Sequence, residues 1–426
     1  MDQKKGRKIY YGVWIVAAYC LIVPAIYMFS NPIGLYMLPI CDELGISQGV
    51  YSLSRTCVSV ICAFSYLLYV PLQKRCSLRV MICLGLLCGA MSAFCYSIAT
   101  SVAFIFIAAF FNALINPLSN QISMGNLMNN WFVKHNATIM SIIFACGNIG
   151  GFFNAKLIAH WISTEGWRGS MRITMLILLS VMVVVFLIIR DHPSQKGLRP
   201  YGAEESVQAT PAELPGAVYK DTLKTADFWG VMLWACLSGV IVYPVINIVP
   251  AYLSELGFDT VFSGTAVSFI SIGTLVTLPL VGISVDRWGI RPTIYLSTVS
   301  YVLAIVLLLF LTPGNKTMAL TATTILGISS VSFPALPMFI KVRFGFRDYS
   351  LYSTRANIVR MLGNALGYPL LGFAYDIFGS YRSVFILFIF FSLAMLAAGL
   401  AASRKNHRLW TETRPGYPGY TAENGV

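Results

Sequence analysis

The chain has 426 residues, of which 57% are hydrophobic and only 11% charged, and its mean hydropathy is +0.71. A soluble domain carries roughly 25% charged residues, so the composition excludes an ordinary soluble protein and points to a polytopic membrane protein. The formal net charge of +13 would suit nucleic acid, but the basic residues fall in loops between apolar runs. There they face anionic lipid, and no nucleic-acid partner is expected.

Apolar stretches of about 20 residues or more mark spanning helices. Twelve are predicted, at 12–40, 48–71, 79–99, 102–130, 137–160, 171–190, 228–254, 263–285, 292–312, 318–340, 351–376 and 382–403. The first runs well past the apolar core of a signal peptide and lacks a small-residue cleavage site, so it reads as a retained helix. The fold class is therefore all-α and integral to the membrane. An N-terminal six-helix bundle over 1–190 is followed by a polar, Pro- and Gly-rich cytoplasmic linker, 191–227. A C-terminal six-helix bundle takes 228–403, and 404–426 forms a cytoplasmic tail.

Orientation follows from Lys and Arg in the short loops. With the N-terminus inside, the cytoplasmic segments hold Lys4, Lys5, Arg7, Lys8, Lys74, Arg75, Arg79, Lys134, Arg287, Arg291, Lys341, Arg343 and Arg347. The outer loops hold only Arg168, Arg172, Lys316 and Arg382. A multi-pass protein of the plasma membrane, monomeric and with both termini cytoplasmic, is the expectation. Eight of the ten cysteines, from Cys20 to Cys236, lie in apolar runs, where cysteine acts as a small hydrophobe. No C-x-x-C pair or Cys/His cluster is present, so neither a metal nor another cofactor is expected.

The two halves repeat at a constant offset of 212 residues. Pro32 pairs with Pro244, Glu43-Leu44-Gly45 with Glu255-Leu256-Gly257, Arg75 and Arg79 with Arg287 and Arg291, Phe132 with Phe344, and Gly151 with Gly363. A single offset from the first helix to the fifth indicates parallel duplication of a six-helix unit, the architecture of major facilitator transporters.

The loop GISVDRWGIRP, Gly282 to Pro292, resembles the major facilitator motif Gly-x-x-x-Asp-Arg-x-Gly-x-Arg between the second and third helices of a half. The first-half copy, VPLQKRCSLR, has Val70 for the glycine and Lys74 for the aspartate but retains Arg75 and Arg79. The resemblance implies two pseudo-symmetric bundles with a substrate site between them. It also implies a gating latch made of Gly282, Asp286, Arg287, Arg291, Arg75 and Arg79. The stretches 129–151 and 342–367, with Gly166-Trp167-Arg168, are similar to oxalate/formate antiporter-like and monocarboxylate-type transporters. That narrower likeness implies carboxylate substrates, although 263–285 lacks the arginine that group commonly carries.

Within the eleventh span, Ser353, Asn357, Arg360, Asn364 and Gly367 follow helical spacing and share one face. Arg360 lies about ten residues from the inner end, roughly 15 Å deep at 1.5 Å per residue. It reads as lining a cavity, against the alternative of a buried ion pair or a clamp on carbonyls. Arg355 lies about 140° around the helix and near its end, where a long side chain can reach headgroups. Arg55, Ser59, Cys62, Tyr66 and Tyr69 share a face of the second span; Asn112, Asn116, Ser119, Ser123 and Asn126 share one of the fourth. Tyr27 and Asn31 precede Pro32, Tyr243 and Asn247 flank Pro244, and Asn148 is the repeat partner of Arg360. The substrate-binding candidates are Arg360, Arg55, Asn357, Asn364, Tyr27, Asn31, Asn116, Asn148, Tyr243 and Asn247. For each asparagine the alternative is a hydrogen bond between helices. Lys156 and the tryptophans Trp14, Trp131, Trp161 and Trp229 read as interfacial.

No Asp, Glu or His falls in the middle of any predicted span. Proton-coupled carriers ordinarily embed a titratable group. Arginine, by contrast, binds carboxylates through a bidentate fork without losing its proton. The leading expectation is a secondary or facilitative carrier of small organic anions, probing both faces by alternating access and working by exchange. Efflux of amphipathic or cationic compounds is the alternative within transport, and a non-transporting ligand sensor the alternative outside it. No P-loop is present and no enzyme chemistry is expected.

Overall fold

The computed structural model describes residues 10–30, 32–132, 136–202, 216–345 and 347–403. All regular elements among the described residues are helices. The first predicted span comprises α1 (Gly12–Ser30), a short 3-10 helix at Pro32–Tyr36 and α2 (Met37–Leu44). Then come α3 (Gln48–Gln73), α4 (Leu78–Ser97), α5 (Val102–Ser119), α6 (Gln121–Trp131) and α7 (Asn136–Ile188). After the short α8 (Tyr219–Thr222), the second half runs α9 (Ala226–Glu255), α10 (Thr260–Trp288) and α11 (Ile290–Leu309). It ends with α12 (Lys316–Ser329), α13 (Ser332–Phe344), α14 (Tyr349–Phe378) and α15 (Arg382–Ala402).

Ten stretches among the described residues are long and apolar enough to cross a membrane. One of them, Thr138–Ile188, counts once at 51 residues. A straight helix of that length would extend about 75 Å, more than twice the hydrocarbon core. It is broken at Gly166, whose φ of 72° and ψ of 170° lie outside helical space and suit a residue without Cβ. The break divides α7 into 136–165 and 167–188, the fifth and sixth spans. α14, the eleventh span, is not among the ten and brings the number to twelve: its polar stripe makes it less apolar than the others.

Two further predicted spans are interrupted. The stretch 102–130 breaks at Asn120, whose ψ of −126° is not helical, so α5 and α6 are separate. The stretch 318–340 breaks between α12 and α13. There Pro334 cannot donate to the carbonyl of Ser330, four residues back, and its ring crowds that carbonyl. The two breaks fall at nearly the same point of the 212-residue repeat, Asn120 matching Ser332.

The chain forms two compact units. The described residues of Met1–Ile46 and Phe64–Gln208 make the first, and those of Ser47–Ala63 and Ala209–Val426 the second. α3 is therefore shared: its first turns pack with α14, where Gly49 N donates to Asp376 Oδ2 at 3.0 Å and Thr56 Oγ1 to the Ala365 carbonyl at 2.9 Å. In the first unit α1 lies along α7, and α4 packs on α5 and α7. In the second, α9 packs on α14 and α15, and α12 on α10 and α11. Trp131 is not interfacial. It is 0% exposed, and its Nε1 donates to the Arg190 carbonyl at 2.8 Å. Trp14 and Trp229 are exposed, as an interfacial ring requires.

Candidate functional site

In the second unit α14 and α9 approach backbone to backbone. A Cβ at Gly363 would collide with the Cys236 carbonyl oxygen, one at Gly367 with the Val240 carbonyl, and one at Gly239 with the Arg360 carbonyl. Small residues four apart are what lets membrane helices come this close. Pro244 sits inside α9 and cannot donate to Val240, and Gly367 lies against both that carbonyl and the proline ring. Gly367 thus serves packing, although its spacing places it on the polar face.

This close pair holds the polar stripe of α14 in place. Arg360 is 6% exposed, whereas Arg355, five residues earlier, is exposed; the two arginines separate as their helical angles predict. Arg360 Nη2 donates to Asn357 Oδ1 at 2.7 Å, and Asn357 Nδ2 donates to the Ser353 carbonyl at 2.9 Å. The guanidinium carbon stands 4.6 Å from the Phe333 ring centroid, and that ring is 4.3 Å from the Tyr243 ring. A cation over an aromatic face is attracted to the ring quadrupole, more strongly when desolvated.

One turn along α9, Asn247 Nδ2 donates to the Tyr243 carbonyl at 3.0 Å and to the Tyr368 hydroxyl at 2.8 Å. Tyr368 in turn interacts with the Arg55 side chain. Arg55 is 8% exposed on the part of α3 that belongs to this unit. The structure therefore connects Arg55, Tyr368, Asn247, Tyr243, Phe333, Arg360 and Asn357, drawn from α3, α9, α13 and α14. Asn364 is buried between Arg360 and Tyr368 on the same stripe. Tyr368 and Phe333 are not among the candidates expected from the sequence. Tyr368 continues the stripe at i+8 from Arg360 and could have been read from it; Phe333 gives no such signal.

The candidates of the first unit are differently placed. Asn148 is buried, and its Nδ2 donates to the Phe144 carbonyl of its own helix at 2.9 Å. The Tyr27 ring lies against Gly147. Asn116 Oδ1 accepts from Asn120 Nδ2 at 2.9 Å, across the break between α5 and α6. The predicted stripe from Asn112 to Asn126 is consequently not one continuous face. Its later members turn to α3: Ser123 and Tyr69 share a hydrogen bond of 2.9 Å, and Asn126 Nδ2 donates to Gln73 Oε1 at 3.2 Å. Asn31 lies outside the described residues. Lys156 is exposed, 4.4 Å from the Phe152 ring centroid.

The latch candidates make contacts inside each unit. Arg291 Nη2 donates to the Ser403 carbonyl at 2.9 Å, and Arg287 is exposed. Gly282 lies in α10, and the side chain of Asp286 lies outside what is described. In the first unit the Arg79 guanidinium lies 3.8 Å from the Phe186 ring centroid, and Arg75 is exposed. The backbone N–H groups of Leu78 and Arg79 each donate to the Asp191 carboxylate at 2.9 Å. Asp191 is the repeat partner of Ser403. An acid thus caps the start of α4, where a carboxylate meets unpaired N–H groups and the positive end of the helix dipole. The first-half loop lacks its own aspartate, and this one comes from the end of the sixth span.

The model of the Major Facilitator Superfamily matches residues 18–367. The chain belongs to the Major Facilitator Superfamily. Two curated superfamily relatives match in part. The glycerol-3-phosphate transporter of Bacillus subtilis (strain 168) is 23% identical over 237 residues, covering 52% of each chain. The sialic acid transporter NanX of Escherichia coli (strain K12) is 21% identical over 266 residues, covering 62% of each. The chain thus aligns with between half and two thirds of the length of these relatives. Among solved structures, a bacterial homolog of the human lysosomal transporter Spinster, inward-facing and unoccupied, superposes with a TM-score of 0.72 at 17% identity. That match covers 94% of this chain and 98% of the other. The nucleoside transporter NupG gives a TM-score of 0.72 at 14% identity, over 93% and 100% of the two chains. These likenesses establish the fold. The relatives are transporters, not enzymes.

Proposed function

We propose that this superfamily member transports small organic anions by alternating access and exchange, with Arg360 and Arg55 supplying the positive charge that the substrate meets. The supporting observation is the burial of both guanidiniums in one network of amide and aromatic side chains. They sit in spans whose middles contain no Asp, Glu or His. Glycerol-3-phosphate and sialic acid, for which the two relatives are named, are both organic anions. Carboxylates are the first substrates to test, as the loop resemblance implies, and phosphate esters the second. The residues proposed to contact substrate are Arg360, Arg55, Asn357, Asn364, Tyr243 and Asn247.

The chemistry follows from arginine itself. A guanidinium keeps its proton at any working pH and presents a planar fork to a carboxylate or phosphate. Asn357 holds one end of the Arg360 fork and Phe333 supports its face, so less side-chain freedom is lost on binding. Carrying fixed positive charge through a low-dielectric barrier is costly, and a bound anion offsets it. The empty carrier then reorients slowly and the loaded one quickly, which is exchange. An embedded cation also argues against efflux of cationic compounds, because Arg360 occupies the Phe333 face that a ligand cation would use.

The protein is proposed to span the plasma membrane with both termini cytoplasmic. The test is efflux of labelled anion from proteoliposomes, at equal pH inside and out, with and without unlabelled anion outside. Strong stimulation by outside anion is expected. Uptake that occurs only with an imposed pH gradient, and collapses with a protonophore, would overturn the exchange reading.

A further inference from the structure

We infer that the substrate is a polyhydroxylated organic anion, whose hydroxyl groups donate to the buried amide oxygens of Asn247 and Asn364 in the network that holds the two arginines. This rests on the reading of Arg360 and Arg55 as anion sites and narrows it to a substrate class.

Asn247 Nδ2 donates to the Tyr243 carbonyl and the Tyr368 hydroxyl. A backbone carbonyl can only accept, so the amide orientation is set by its surroundings. That leaves Oδ1 as the remaining polar atom, buried and without a hydrogen-bond partner in a residue only 9% exposed. Asn364, 5% exposed, likewise has Oδ1 buried without a partner. Buried acceptors are nearly always satisfied in folded proteins, and an orphan is costly to keep. Neither oxygen receives a hydrogen bond from the side chains around it, so each is open to a donor on a bound molecule.

Their placement indicates which donor. Arg360, Asn364 and Tyr368 follow one another by four residues along α14, a rise of about 12 Å from the first to the last. Arg360 stands at one end and Arg55, beside Tyr368, at the other. Asn364 lies between Arg360 and Tyr368 along α14, and Asn247 reaches the Tyr368 hydroxyl from α9. An aliphatic acid would satisfy a guanidinium but leave the amide oxygens without donors. A hydroxylated acid or a polyol phosphate satisfies both, and sites that hydrogen-bond a substrate hydroxyl strongly reject analogues lacking it.

The experiment titrates the purified full-length protein with matched probes and reads thermal stabilisation, which reports affinity directly. Glucarate is compared with adipate, which has the same chain and carboxylates but no hydroxyls. Glycerol 3-phosphate is compared with propyl phosphate, so that the two pairs distinguish carboxylate from phosphate. In at least one pair the hydroxylated member is expected to bind about 10- to 100-fold more tightly. Asn247→Leu and Asn364→Leu should each reduce that ratio by about tenfold. Equal affinity within both pairs, with both members lost in Arg360→Gln, would overturn the hydroxyl inference and leave the anion reading standing. Binding that does not depend on Arg360 in any case, or no binding by any of the four probes, would overturn both. The wild-type comparison decides the matter even if a leucine variant fails to fold.

Discussion

The α1–α7 pair of the first unit and the α9–α14 pair of the second descend from the same part of the repeat, and they differ in the charge they carry and in what their glycines touch. Both pairs spend amide N–H groups on backbone carbonyls, as Asn357 and Asn247 do in the second; in the first pair nothing charged joins them among the described residues. Asn148 donates within its own helix to Phe144, and Asn154 Nδ2 donates to the Pro24 carbonyl at 2.8 Å. Contacts at its glycines are with side chains, Gly147 against Val23 and Tyr27 and Gly150 against Pro24. In the second pair the glycines meet carbonyl oxygens, and the repeat partner of Asn148 is Arg360. That guanidinium bonds to a side chain and an aromatic face. Duplication preserved which helices pack together. The second copy carries the charge, beside a seam in which glycines face backbone carbonyls.

The sharpest way to break this comparison is to exchange the chemistry at the paired positions. Arg360→Gln is expected to reduce anion exchange in proteoliposomes by roughly 30-fold or more, about 2 kcal/mol at least, with folding near normal. Arg360→Lys should restore part of it as a point charge. Asn148→Ala, which removes an intrahelical hydrogen bond, should change exchange by only a few-fold. Full activity in the glutamine variant would remove the basis for assigning charge to the second copy.

A second test concerns the seams. Gly363→Ala forces a Cβ onto the Cys236 carbonyl and is expected to destabilise the protein by about 1–3 kcal/mol, the usual range for overpacking. Gly147→Ala meets the Val23 and Tyr27 side chains instead of backbone and should cost less, about 1 kcal/mol. Thermal unfolding of both variants in detergent would show the order, and a larger loss at Gly147 would contradict it.

The loop contacts offer a smaller contrast. Asp191→Ala removes the carboxylate cap of α4 and should cost about 0.5–2 kcal/mol. Arg291→Ala removes an exposed contact with Ser403 and should cost less than about 1 kcal/mol; the same unfolding measurement compares them. The smallest effect is expected at Arg355. Arg355→Gln should leave exchange rates within about twofold of wild type, because the side chain is exposed and can reach headgroups. A loss there equal to that at Arg360 would mean that burial does not separate the two arginines functionally.

Much of this molecule could be read one residue at a time. Hydropathy located twelve spans because a bilayer demands about 20 apolar residues for each crossing. A constant offset exposed the duplication, and a helical period separated Arg360 from Arg355, since both are properties of order along the chain. What lay outside that reach depends on atoms distant in sequence. The breaks at Asn120 and Ser330 divide stretches whose average hydropathy still suffices to cross a membrane, so the average passed over them. Trp131 looks interfacial by its place in the chain but is buried by Tyr10, Tyr11 and the Arg190 carbonyl. Asp191 reads as the first residue of a linker until its carboxylate meets the start of α4, more than a hundred residues earlier. The grouping of Arg55 with Tyr368, Asn247 and Arg360 needed the first turns of α3 to pack against α14. Periodicity tells which side chains share a face; which face meets which is decided only when backbones pack, because carbonyl contacts and ring stacking require positions in space that no spacing encodes.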